Sequence, residues 1–206
     1  APQDRQIARL VREMEERRLF ETTTLIFVSD HGMTEAETLF DLGAAMRRAG
    51  VKASVIGIGG FSSVVFKEAK ARKYQVETAL RVAREAGLEA WARNDAPADW
   101  HVGDVRFGHI VVRAPIGTAI VTARSHIKGY HGYDPQEPSM AGMLVARGRG
   151  VQPGSRIGRT SNLSVAPTIL KLLGVPIPDQ MKAPPIEEML FGLGLESAAG
   201  SLKETN

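Results

Sequence analysis

The run Thr23-Thr24-Leu25-Ile26-Phe27-Val28-Ser29, leading into Asp30-His31-Gly32-Met33, decides how this chain is read. Short, apolar and β-branched, it predicts a strand buried on both faces of a mostly parallel sheet. Open α/β sheets place ligands in the crevice outside the carboxyl ends of their strands, so Asp30 and His31 form a candidate site by position alone. Adjacent side chains of a strand point to opposite faces, and both reach one ion only if the chain turns there, which Gly32 permits. A carboxylate beside an imidazole suits zinc, which takes oxygen and nitrogen ligands at about 2.0 to 2.2 Å. The plainer alternative makes Asp30 the cap of a following helix and His31 a satisfied core residue.

Upstream, residues 4–19 set Ile7, Leu10, Val11, Met14 and Leu19 at helical spacing with Arg and Glu on the other face, which predicts an amphipathic helix. Downstream, 35–49 reads as a helix ending at Gly50, and 51–66 as two short strands broken around Gly57, Gly59 and Gly60. A helix over 74–86 stops at Gly87, and strands are expected over 88–93 and 105–113 with a loop, Asn94 to Asp104, between them. Two strands, a helix and two more strands describe a small α+β insertion. A loop from Thr122 to Ser139, a strand from Ala141 to Ala146, and an apolar helix over 163–173 capped by Ser161 or Asn162 complete the pattern. The residues after Pro178 read as a loosely attached tail.

The chain has 206 residues, 43% hydrophobic and 24% charged, enough for one α/β domain or part of a larger one. Its formal charge is only +3 although its pI is about 9.3. Arg147, Arg149, Arg156 and Arg159 are the nearest approach to a basic cluster, but Gly and Pro separate them and no stacking aromatics are interleaved. This is not the pattern of a specific nucleic-acid site. No apolar run reaches the roughly 18 residues of a membrane span. With no cysteine, disulfides and thiolate ligands are excluded, so a transition metal would be held by His and carboxylate.

A second motif, Gly129-Tyr130-His131-Gly132-Tyr133-Asp134-Pro135 with Pro138-Ser139-Met140 just after, sets a histidine in a Gly-flanked loop before another strand. Such a loop can bring a side chain to a strand-end crevice from a distant part of the sequence. His101, beside Trp100, and His109, within an expected strand, read as ordinary structural histidines, as does His126.

VSDHGM and HGYDPQEPSM, in this order and about a hundred residues apart, resemble the two C-terminal signatures of the nucleotide pyrophosphatase/phosphodiesterase family of the alkaline phosphatase superfamily. The segment Val64 to Gly117 resembles the insertion between those signatures, and the likeness covers residues 20–178. It implies an alkaline-phosphatase-like α/β fold, a mostly parallel sheet flanked by helices and incomplete at the N-terminus. The core would be residues 1–53 and 118–180, with an α+β cap at 54–117 and a tail at 181–206.

The resemblance also implies two divalent metal ions, usually zinc, sharing the substrate phosphoryl group. By position, Asp30 and His31 would bind one ion and His131 the other. A Thr or Ser at a helix N-terminus attacks phosphorus in that family, and water releases the covalent intermediate. That nucleophile and the remaining ligands lie N-terminal to the DHGM motif, whereas 29 residues precede Asp30 here, without a histidine. The expectation is therefore the C-terminal portion of a phosphoric ester hydrolase whose substrates are small phosphate esters or nucleotides, with no catalytic nucleophile in these residues and little activity from them alone. Phosphonoacetate hydrolases share a similar DHGM signature and are the enzyme alternative. A non-catalytic metal-binding or interaction module is the other.

Overall fold

Helix and strand runs alternate along the chain in a computed structural model that describes residues 2–67, 73–122 and 126–192. In order the elements are α1 (Pro2–Glu16), β1 (Thr24–Val28), β2 (Thr34–Glu35), β3 (Thr38–Asp41), α2 (Leu42–Arg48), β4 (Ala53–Ile56), β5 (Phe61–Phe66), α3 (Lys73–Glu85), β6 (Glu89–Ala92), β7 (Ile110–Arg113), β8 (Thr118–Val121), β9 (Gly129–Tyr130), β10 (Leu144–Gly148) and α4 (Val165–Leu172). They fall into two compact units, Ala1–Asp30 with Met143–Asn206, and His31–Gly142. None of the described helices is long and apolar enough to cross a membrane.

In the first unit β1 pairs antiparallel with β10, from Thr24 opposite Gly148 to Val28 opposite Leu144. The expectation of a strand buried on both faces is corrected here: β1 is half-buried and Val28 is 46% exposed, because β10 is its ladder partner among the described residues. The strand expected at 141–146 is likewise displaced to β10. The amphipathic α1 forms, with Met14 as its buried residue and Ile7 and Leu10 exposed. Ser161, not Asn162, caps the turn that leads into α4, its Oγ accepting from the Leu163 N–H at 3.2 Å. The loosely attached tail is also corrected over residues 186–190. Ile186 and Met189 are buried against Val151, and the Ile186 N–H donates to Thr168 Oγ1 at 2.9 Å. Buried apolar side chains outweigh the prolines that made this stretch look unstructured; residues 193–206 lie outside the described residues.

In the second unit the order β4-β5-β7-β6 makes a four-stranded antiparallel sheet, the two strands, helix and two strands of the expected insertion. Ile110 and Val112 of β7, Val64 and Phe66 of β5 and Ala90 of β6 join one core with Ala79 and Ala83 of α3. Alternation sends Phe61, Ser63, Trp91, Val111 and Arg113 to the other face. The strand expected over 105–113 is shorter: Asp104 Oδ1 accepts from the Arg106 N–H at 2.9 Å and closes a single 3-10 turn before Gly108, so the strand begins at Ile110.

The helix expected over 35–49 is also corrected. Its first part is β3, running parallel to β8 from Thr38 opposite Thr118 to Asp41 opposite Val121. Asp41 then caps α2, its Oδ1 accepting from the Ala44 N–H at 2.7 Å. A capping carboxylate in mid-run starts the helix late, and a β-branched and aromatic lead-in, Thr38-Leu39-Phe40, suits the strand before it. This β3–β8 pair is the piece of parallel sheet among the described residues; the other ladders are antiparallel.

Candidate functional site

The carboxyl end of β1 delivers Asp30 as the last residue of the first unit's N-terminal segment. The Ser29 N–H donates to Met143 O at 3.0 Å, Ser29 Oγ accepts from the Met143 N–H at 2.9 Å, and Asn162 Nδ2 donates to Asp30 O at 2.8 Å. Three hydrogen bonds thus hold the backbone that carries the carboxylate.

His31 opens the second unit, and Gly32 fixes its turn. The Gly32 N–H donates to Met140 O at 2.9 Å. A Cβ at Gly32 would overlap the Ser139 carbonyl oxygen and lie 2.7 Å from that of Ala141, so the backbone approaches closer than any side chain would allow. His31 Nδ1 sits 2.7 Å from Gly32 O. A carbonyl oxygen only accepts, so Nδ1 is the donor, and in the neutral ring Nε2 then carries the lone pair, the tautomer of a metal-ligating histidine.

His131 reaches the same place through the β2–β9 ladder, in which Thr34 faces Tyr130 and Glu35 faces Gly129. The Gly60 N–H donates to His131 O at 2.8 Å, and a Cβ on Gly60 would lie 2.5 Å from Tyr133 N. Gly60, read from sequence only as a strand break, is therefore the backing against which the His131 loop is laid. The two imidazoles stack, ring centroids 3.9 Å apart and planes inclined by 14°. The in-plane lone pairs of nearly parallel rings run side by side, so rings at this spacing suit two ions about 4 Å apart, the separation of paired catalytic metals, better than one shared ion.

The remaining histidines have other environments. His109 Nδ1 accepts from the Phe66 N–H at 3.2 Å and its ring meets Phe66 edge-on at 5.3 Å. His101 is exposed at the end of a 3-10 turn with φ +52, and His126 is exposed. Beside His131, Tyr133 is buried with no hydrogen-bond partner for its hydroxyl among the described residues, and burial, reinforced by Tyr130, pushes its phenol above the usual value. Asp134 accepts from Arg113 at 2.8 Å and from the Gln136 N–H at 2.8 Å. Sequence reading passed over this pair, because nothing in spacing joins Arg113 to Asp134.

In donor chemistry the residues fit a transition metal: a carboxylate next in sequence to a histidine of defined tautomer, and a second imidazole stacked on the first. They do not make a closed cage. Among the described residues no group of three or more His, Asp or Glu gathers in a way that could hold an ion.

A family model described as type I phosphodiesterase/nucleotide pyrophosphatase matches residues 3–134, more than half of the sequence. The chain belongs to this family. Among curated relatives, the bis(5'-adenosyl)-triphosphatase ENPP4 of Bos taurus is 27% identical over 84% of the chain. An ectonucleotide pyrophosphatase/phosphodiesterase of Caenorhabditis elegans is 24% identical over 81%. The chain spans 38% of the first relative's length and 22% of the second's. Human ectonucleotide pyrophosphatase/phosphodiesterase 5 superposes with a TM-score of 0.73 at 21% identity, covering 85% of this chain and 47% of its own. An inactive variant of the murine protein, solved in complex with AMP, gives a TM-score of 0.72 at 21% identity over the same shares. The fold is therefore the α/β, alkaline-phosphatase-like one, of which this chain carries less than half the length found in those neighbours.

Proposed function

We propose that this chain supplies Asp30, His31 and His131 as metal ligands to a phosphodiesterase or nucleotide pyrophosphatase whose nucleophile lies in the family's N-terminal segment. The stacked pair of His31 and His131 carries this reading, because two imidazoles a hundred residues apart meet at a spacing that ions about 4 Å apart would use. Asp30 and His31 would serve one divalent ion and His131 a second, zinc suiting the nitrogen and oxygen donors. When bound, such ions would stabilise negative charge on the phosphoryl oxygens and activate the attacking hydroxyl.

This chain's own part is orientation. Gly32 O accepts the Nδ1 proton of His31 and so fixes the ring and leaves Nε2 as the nitrogen for a metal. The Gly60 N–H holds the backbone of His131, and the close contact there leaves its loop little room to move. Residues 54–117 would act as a cap governing substrate access. A nucleotide substrate accords with the bovine relative's name and with AMP in the murine structure, both being properties of those proteins.

The test is hydrolysis of a chromogenic phosphodiester with added zinc by three proteins: this chain, its His131→Ala variant, and a protein in which the family's N-terminal segment is present. The expectation is background turnover by the chain alone and activity in the longer protein that His131→Ala removes. Turnover by this chain equal to that of the longer protein would overturn the division of labour. Undiminished activity of the longer protein after His131→Ala would remove His131 from the site.

A further inference from the structure

Arg113 stands on the sheet face opposite the main core, directly across from Glu89 on β6 and Phe61 on β5. Its Nε donates to Glu89 Oε2 at 2.7 Å and a terminal nitrogen lies 2.6 Å from the same oxygen. Its other terminal nitrogen donates to Asp134 Oδ2 at 2.8 Å. The guanidinium carbon lies over the Trp100 ring, 4.4 Å from its centroid. One side chain, 19% exposed, therefore joins three segments: the β6 edge, the 94–104 loop through Trp100, and the His131 loop through Asp134.

We propose that Arg113 is a positioning residue for His131, tying the loop that carries it to the face of the four-stranded sheet and to the Trp100 loop. Asp134 lies three residues after His131, and its second oxygen accepts from the Gln136 N–H at 2.8 Å, so the carboxylate folds the loop on itself while Arg113 anchors it. The same loop also rests on Gly60, through the hydrogen bond to His131 O. Without the Arg113 anchor the loop keeps the β2–β9 ladder and the Gly60 hydrogen bond before and at His131 but loses its tie after it, and the ring of His131 loses its fixed register over His31. The task demands arginine: two nitrogens turned to one carboxylate, a third nitrogen turned to another and a flat face on an indole are a geometry that lysine's point charge cannot reproduce. Trp100 also meets Trp91 edge-on at 4.9 Å and Phe61 at 6.3 Å. Anything that displaces Trp100 therefore acts on the guanidinium and through it on the His131 loop.

The experiment reads this on the full 206-residue chain by NMR of its histidine Cε1–H resonances, assigned through His31→Ala and His131→Ala. Mutual ring currents at 3.9 Å should shift His31 and His131 away from the exposed His101. In Asp134→Asn, Asp134→Ala, Arg113→Met and Arg113→Lys that mutual shift should fall at least about twofold while His109 stays in place. Both of the chain's tryptophans sit in the cluster, so their emission should change in the Asp134 variants as well as the Arg113 variants. Unmoved His31 and His131 resonances in folded Asp134→Asn and Arg113→Met would overturn the proposal.

The functional meaning of the anchor rests on the metal-ligand reading above, which a zinc titration followed on the same resonances separates from the anchor itself. If zinc leaves His31 and His131 unperturbed in the native chain, the metal reading falls and the ring-shift comparison still decides the anchor. If zinc binds, Asp134→Asn should weaken it by about tenfold or more, the range of supporting residues behind metal ligands; unchanged zinc affinity would contradict a positioning role.

Discussion

Replacing Gly32 by alanine puts one methyl group where the structure has only backbone. The added Cβ would overlap the Ser139 carbonyl oxygen, lie 2.7 Å from the Ala141 carbonyl oxygen and 3.1 Å from the Met140 carbonyl carbon. Non-bonded heavy atoms rest at about 3.5 Å, so relief requires the 31–33 segment to move by about 1 Å. The atoms in the way are backbone, which cannot swing aside as a side-chain tip would. The move breaks the 2.9 Å bond from the Gly32 N–H to Met140 O, worth about 1 kcal/mol, and the residual overlap adds about 1 to 3 kcal/mol. A loss of about 2 to 4 kcal/mol follows, a large share of the 5 to 15 kcal/mol that holds a typical domain. Urea unfolding of Gly32→Ala against Gly103→Ala isolates the effect, since a Cβ at Gly103 meets nothing within 4 Å. The same shift carries His31 off His131, so their mutual ring-current shifts should disappear. A Gly32→Ala chain within about 0.5 kcal/mol of the native one, with those shifts intact, would refute the reasoning.

Thr168→Val should cost about 1 to 3 kcal/mol in urea unfolding, because the buried hydroxyl that accepts from the Ile186 N–H is lost and that donor is left unsatisfied; an unchanged midpoint would mean that residues 186–190 are not docked as described. Tyr133→Phe removes a buried hydroxyl without a partner among the described residues and should leave stability unchanged or raise it by up to about 1 kcal/mol; a loss of about 1 kcal/mol or more would reveal a partner for the hydroxyl. Asp104 is held below its ordinary value of 3.8, first by the Arg106 side chain and then by the Arg106 backbone N–H. A depressed carboxylate stabilises the turn above its unfolded value and loses that contribution as pH falls through the folded one. Exchange protection of the Arg106 amide should therefore fall with pH in the acid range, and Asp104→Ala should abolish that dependence; a flat profile in the native chain would contradict the cap.

The candidate site residues stood out in the sequence because chemistry and position coincide in them. Asp30 and His31 follow an apolar β-branched run, and His131 sits between glycines, so type and place point the same way. What brings the two histidines together was not legible. Gly60 matters through a backbone it touches 71 positions later, and Arg113 through a carboxylate 21 positions on; neither contact leaves a local pattern. The strand-strand-helix-strand-strand order of residues 53–113 could be read because Gly57, Gly59, Gly60 and Gly87 punctuate it. The helix start at Leu42 was missed because the run from 35 to 49 carries no proline and its one glycine, Gly43, lies inside the helix; the Asp41 carboxylate, a cap in mid-run, divides strand from helix. β1 was read as doubly buried because hydrophobicity records what a strand can bury, not which neighbours are present to bury it.

The central claim is that His31 and His131 meet in order to hold metal, with Asp30 beside them in the chain. Anomalous scattering at the zinc edge, from zinc-loaded crystals of the protein with the family's N-terminal segment present, addresses it directly. The account predicts peaks about 2.0 to 2.2 Å from His31 Nε2, from an Asp30 carboxylate oxygen and from a ring nitrogen of His131. Zinc bound elsewhere, with the two imidazoles still stacked on each other and no peak against either, would contradict it.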